Sequence, residues 1–141
     1  MSNIYSMEEL TIKNLKPPSK RNIKKDLEWF CDSFGIIGER DKEKTGFKIF
    51  KIILDSTKEG NPLKINDITQ KTKLSRTTVI HHLRRMEEIG LIVEKRRDYK
   101  LRMECLHKVV DEIENDILRS FERIKKIAKD IDEDLEINFR E

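Results

Sequence analysis

Apolar positions along the chain fall into stretches of different period, separated by glycine, proline or charged breaks. Ile23, Leu27, Phe30, Phe34 and Ile37 step by 4, 3, 4 and 3 residues, the spacing of one helix face. This predicts a helix from a cap at Ser19 to about Phe34, before Gly35. Gly38 and the charged run 39–44 mark a joint. A second helix follows over about 41–58, with Phe47, Phe50, Ile53 and Leu54 facing inward, and Gly46 leaves its start loosely defined. Gly60-Asn61-Pro62 breaks the chain.

A short helix over 67–72 is predicted next, capped by Asn66 and with Ile65 and Ile68 as its apolar residues. After the turn Lys73-Leu74, Ser75 caps a fourth helix, 76–89, which Gly90 ends. Two short strands, 91–95 and 99–103, flank Arg96-Arg97-Asp98 and alternate through Leu91, Val93, Tyr99, Leu101 and Met103. From about Leu106 to Ile137 there is neither proline nor glycine. Val110, Ile117, Ile124 and Ile131 recur every seven residues there, with Ile113 and Ile127 interleaved and Phe121, Ala128 and Leu135 broadening the stripe. Ser120 and Asp134 interrupt the interleaved series. A seven-residue apolar repeat of this kind predicts a packed helical seam.

Helix, short helix, turn, helix and hairpin is the order of a winged helix-turn-helix. The predicted fold class is therefore mainly α with a small two- or three-stranded β wing, flanked by N- and C-terminal dimerisation helices. The expected parts are a flexible arm (1–18) ending at Pro17-Pro18, an N-terminal helix (19–37), the winged domain (41–104) and a long C-terminal helix (105–137). On a helical wheel with Val79 at the centre of the buried face, Leu83 and Met86 fall beside it. Thr77, His81, Arg84 and Glu88 then point outward, flanked by Ile80 and Arg85. Glu88 lies too close to the end of the helix to enter a groove. Hydroxyl, imidazole and guanidinium groups at the start of the helix are the donors that read purine edges or grip phosphate. An ordinary solvated helix face would look similar in isolation.

Charge alters that balance. The formal net charge is only +3, but residues 61–108 carry 12 basic and 6 acidic side chains, whereas residues 109–141 carry 6 and 11. Within the hairpin Lys95, Arg96, Arg97, Lys100 and Arg102 are opposed only by Glu94 and Asp98. Such crowding is tolerated where a polyanion binds, since phosphate contacts release condensed counterions. The expected DNA-binding residues are thus Ser75, Arg76, Thr77, Thr78, His81, Arg84 and Arg85 on the helix, with the five basic residues on the wing.

The run Leu74-Ser75-Arg76-Thr77-Thr78-Val79-Ile80-His81-His82-Leu83-Arg84-Arg85-Met86-Glu87-Glu88-Ile89-Gly90-Leu91-Ile92 resembles the recognition helix and first wing strand of winged-helix regulators of the ArsR-like and MarR-like groups, the archaeal members in particular. The likeness covers about residues 41–105. It implies that Ser75, Arg76, Thr77, Thr78, His81 and Arg84 approach DNA, in line with the wheel. It also implies that terminal helices pair two copies, setting recognition helices in successive major grooves of a near-palindromic site. Metal-sensing ArsR-like proteins carry thiolates in the short helix or His and Asp ligands in the last one. The short helix here has neither Cys nor His, and Cys105, His107 and Asp111 are weak candidates that do not share one face. No cofactor is expected. His82 falls near the buried edge and is expected to be packed or hydrogen-bonded.

The apolar stripes of the first and last helices exceed what a domain of this size can cover. The expected partner is a second copy, through Ile23, Leu27, Phe30, Phe34, Val110, Ile113, Ile117, Phe121, Ile124, Ile127 and Ile131. A last helix folded back on its own domain is the alternative. Cys31 and Cys105 are far apart in sequence and form no framework. The chain has no long apolar run, so a cytoplasmic protein without a membrane partner is expected. There is no glycine-rich phosphate loop and no catalytic constellation, so an enzyme is not expected. A transcription regulator binding double-stranded DNA, more naturally a repressor, is the leading expectation. The alternative is a winged-helix assembly module in a transcription, replication or partition complex. No residue pattern identifies a small-molecule effector.

Overall fold

In a computed structural model, which describes residues 8–37 and 43–137, five helices and one hairpin follow in order. They are α1 (Ile23–Ser33), α2 (Thr45–Glu59), α3 (Ile65–Thr72), α4 (Arg76–Ile89), β1 (Ile92–Lys95), β2 (Asp98–Leu101) and α5 (Leu106–Asp134). Residues 1–7 of the expected arm, the joint at 38–42 and the expected start of the second helix at Asp41 lie outside the described residues.

Local chemistry sets the ends. Asn22 rather than Ser19 caps α1, its Oδ1 accepting from the N–H of Lys24 and Lys25 at 2.9 and 3.3 Å. α3 begins two residues before its predicted start, because the Asp67 carboxylate accepts from the Lys64 N–H at 2.9 Å and Asn66 lies within the first turn. Ser75 caps α4 as predicted, accepting from the Thr78 N–H at 3.1 Å. Gly90 closes α4 at φ 93°, a left-handed conformation that glycine adopts without strain.

The core lies between α2, α3, α4, the hairpin and the first turns of α5. Ile49, Phe50, Ile53, Ile68, Val79, Leu83, Met86, Leu91, Ile92, Val109 and Ile113 are all but excluded from solvent. Phe30 of α1 stacks on Phe50 with centroids 5.9 Å apart. β1 and β2 pair antiparallel from Ile92–Leu101 to Lys95–Asp98. A single bridge between Leu63 and Tyr99, with N···O distances of 2.7 and 3.1 Å, adds a minimal third strand. The protein is thus mainly helical with a hairpin directly after the helix-turn-helix, a winged helix.

Three parts differ from the sequence expectation. From Glu8 onward the arm is docked: Glu8 and Glu9 donate backbone N–H groups to the Glu88 carbonyl at 2.8 and 3.2 Å, and Lys13 donates to Ser33 at 2.9 Å. Strand β2 ends at Leu101, so Met103 lies beyond it, half-buried. α5 has two unlike halves. Its first turns pack Val109, Ile113 and Asp116 into the protomer's own core, while from Leu118 onward the apolar residues stand exposed. Ile113, expected at a dimer seam, is 2% exposed within its own chain and cannot meet a partner. Leu27, Phe30 and Phe34 also pack, half-buried, against that core.

Candidate nucleic-acid interface

The recognition helix is held by its inward face. Val79, Leu83 and Met86 are buried, as the wheel requires, so Arg76, Thr77, His81 and Arg84 point to solvent together with the Ser75 cap. Thr78 is half-buried, and its hydroxyl accepts from Ser75 Oγ at 2.9 Å. The Arg76 guanidinium donates to Asn66 Oδ1 at 3.2 Å, which ties the start of α4 to α3 across the turn. That turn closes through Lys73, at φ 61°, whose N–H donates to Thr69 O at 2.8 Å.

The outward side chains have unequal access. Arg85 is exposed but lies on the flank, its Nη2 only 3.1 Å from where a Cβ on Gly35 would stand. His82 turns inward and shares a hydrogen bond of 2.9 Å between Nε2 and Thr45 Oγ1, so it belongs to the joint between α2 and α4. The last turn of α4 is covered by residues 8 and 9, an arrangement that no periodicity in the first eighteen residues signals. Glu87 sits there half-buried. Burial, with Glu94, Glu8 and Glu88 around it, raises its carboxyl above the ordinary range against the pull of Arg84.

The hairpin turn carries Arg96 and Arg97, both exposed and both left-handed, at φ 54° and 69°. A two-residue turn of this hand favours Asn-Gly, since a side chain there costs about 1 kcal/mol per residue. Two arginines hold the positions nonetheless. Lys95 and Lys100 are also exposed, and Asp98 is engaged at 2.9 Å by Lys64 from outside the hairpin. Arg102 is different. Its side chain is 6% exposed and makes two hydrogen bonds to Asp116, which is 3% exposed. Arg102 is therefore a core ion pair, not a wing residue available to phosphate, and the sequence expectation for it is corrected. Its position just past β2, facing the buried start of α5, is what turns it inward.

Cys105, His107 and Asp111 are exposed, and among the described residues no group of three or more His, Cys, Asp or Glu side chains is placed to hold a metal ion. Cys31 is buried, and burial pushes its thiol up to about 12, with Glu28 and Asp32 adding to the shift. Among the described residues no helix is long and apolar enough to cross a membrane.

Comparison with known proteins places the same segment. Residues 52–94, from α2 through most of β1, match the family model described as bacterial regulatory protein, arsR family. No curated protein and no solved structure matches the chain. The match supports an ArsR-like winged helix and DNA-binding transcription regulation as its role. The MarR-like and archaeal parts of the resemblance rest on the sequence alone.

Proposed function

We propose that the protein is a homodimeric regulator that binds specific sites on double-stranded DNA and represses by occupying them. In this reading α4 enters the major groove, with Ser75, Arg76, Thr77, His81 and Arg84 toward the bases and phosphates. The wing then lays Lys95, Arg96, Arg97 and Lys100 along the backbone or minor groove. The observation that carries the DNA reading is the Arg96-Arg97 turn, where charge at the wing tip is kept against the backbone preference of the turn.

Dimerisation is supported by apolar surface that the protomer leaves open. Ile23 is 84% and Ile124 61% exposed, and Phe121, Ile127 and Ile131 are each about half exposed. Fully burying one such side chain contributes about 1.5–3 kcal/mol, which favours a covered state. A second apolar surface lies at Pro17, Pro18, Ile23, Leu27 and Leu106, where a hollow of about 440 Å³ opens beside Trp29, whose buried indole N–H has no hydrogen-bond partner among the described residues. A twofold dimer would call for half-sites about 10 base pairs apart or a multiple of that.

Selection of bound duplexes from a random pool, with binding measured against salt, tests the proposal. A preferred near-palindromic sequence held at least about a thousandfold above random duplex is expected. Binding no tighter than to random duplex would overturn it. The exposed face of α5 also suits a module that assembles with other proteins. That second reading is favoured if partner binding survives high salt, needs Ile124 and ignores Arg96 and Arg97.

A further inference from the structure

The arm crosses from the end of α4 to the end of α1. Glu9 donates its backbone N–H to the Glu88 carbonyl at 3.2 Å, Leu10 packs against the core, and Lys13 donates to Ser33 O at 2.9 Å. Within this span Glu9 and Thr11 border a hollow of about 370 Å³, a volume ordinary for a small-molecule site. His81, Arg84, Arg85 and Glu88 line it from α4, and Phe34 and Ile89 supply apolar surface. Arg85 lies against Gly35, where a Cβ would stand 3.1 Å from its Nη2, so the glycine leaves room for the guanidinium. Opposite charges share the hollow without neutralising one another. Among the described residues the Arg84 and Arg85 guanidinium groups and the Glu9 and Glu88 carboxylates make no hydrogen bond or salt bridge. Arg84 and Glu88 stay apart although they stand four residues apart on one helix, the spacing at which such side chains meet.

We propose that this hollow binds a free α-amino acid with an apolar side chain. Its carboxylate would meet Arg84 and Arg85, its ammonium Glu9 and Glu88, and its side chain Phe34 and Ile89. A simple anion would be repelled by the two carboxylates, and a simple cation by the two guanidinium groups. A molecule with both charges side by side and an apolar group answers every wall. Arg84 and His81 also belong to the face assigned to DNA, so the amino acid and a duplex compete for the same side chains. That consequence, unlike the site itself, rests on the DNA-binding regulator proposed above, and each ligand would weaken the other by the same factor.

The test begins with the full chain in the absence of DNA. Leucine, methionine and phenylalanine are titrated one at a time while backbone amide shifts are followed, with acetate and methylammonium as the single-charge halves. Saturable shifts centred on Glu9, Thr11, Phe34, Arg84 and Arg85 are expected with at least one amino acid and with neither half. Glu9→Gln and Arg85→Ala, both at exposed positions, should each weaken that binding on the order of tenfold. Thermal unfolding of the free variants checks that both still fold. No saturation by any of the amino acids up to about 10 mM, acetate binding as tightly as they do, or binding that survives both substitutions would overturn the site. Duplex affinity is then measured with and without the amino acid, which is expected to weaken it. An amino acid that fills the hollow and leaves duplex affinity unchanged would overturn the competition. A chain that takes the amino acid but prefers no duplex sequence would overturn the regulator and leave the site standing.

Discussion

Arg102 and Asp116 meet out of solvent, with Nη1···Oδ2 at 2.8 Å and Nη2···Oδ1 at 3.3 Å, and join the end of the wing to α5. Arg119 reaches the same carboxylate from the next turn, and Arg102 also continues the hairpin by donating its backbone N–H to Leu91 O at 3.0 Å. Removing one member of such a pair strands a buried charge. Asp116→Ala is expected to destabilise the protein by about 3–5 kcal/mol in urea unfolding. Replacing both residues with apolar ones of similar volume should restore much of that stability. Arg102→Met should leave the salt slope of DNA binding unchanged, in contrast to the exposed arginines of the wing.

The turn at Arg96-Arg97 gives a prediction with two opposite signs. Substituting Asn and Gly there should stabilise the fold by about 1–2 kcal/mol, because both residues accept the left-handed backbone. The same change should weaken binding to all duplexes similarly and lower the salt slope by about one for each phosphate no longer neutralised. Thermal unfolding and a salt titration of binding measure the two effects separately.

The recognition helix should behave otherwise. Replacing Thr77 or Arg84 with Ala should alter which sequence is preferred, by about 1–3 kcal/mol at the affected base pair, and change unfolding little because both are exposed. Selection from a random pool with each variant reads the altered position directly.

Glu87 predicts a dependence on pH. Its carboxyl is raised in the folded state, so the folded protein holds this proton more tightly than the unfolded chain does. The associated stability is fully present below the ordinary carboxylate range and is lost as pH rises through the raised value. Glu87→Gln should therefore stabilise the protein at pH 7, by no more than about 0.5 kcal/mol because the group is only half-buried. The difference should vanish near pH 4, which urea midpoints at the two pH values would show.

Gly46 bears on how much of this structure its sequence reveals. As a residue inside a helix it looks like a weakness, and the pattern offers no reason for it. In the fold, an added Cβ would stand 2.6 Å from the Ile36 carbonyl oxygen and 3.2 Å from His82 Nδ1, so glycine is required by close approach of the chain after α1. Gly46→Ala is expected to destabilise by about 1–3 kcal/mol despite its better helix propensity, measurable by thermal unfolding.

The same distinction runs through the rest of the chain. The boundaries of α4, its buried face and the hairpin were legible because caps, period and turn residues are local. Asn22 displaced Ser19 and Lys64 displaced Asn66 because several polar residues competed for one cap, and hydrogen-bond geometry chose between them. Arg102 was misread because it was grouped with the exposed cations that precede it in the hairpin, Lys95, Arg96, Arg97 and Lys100, while its partner lies fourteen residues away on another element. Docking of residues 8–13 left no trace in the pattern, since it runs mainly through backbone groups. On α5 the apolar stripe was read correctly as a stripe, but one period cannot say where the helix leaves its own domain.

That departure gives α5 a further property. The last side chains it commits to the core are Asp116 and the half-buried Ile117. Turns added or removed beyond them leave the winged domain's interior untouched and alter only how far the helix projects. The distal half is therefore a spacer whose length can change independently of the fold, in steps of about 10 Å for each seven residues.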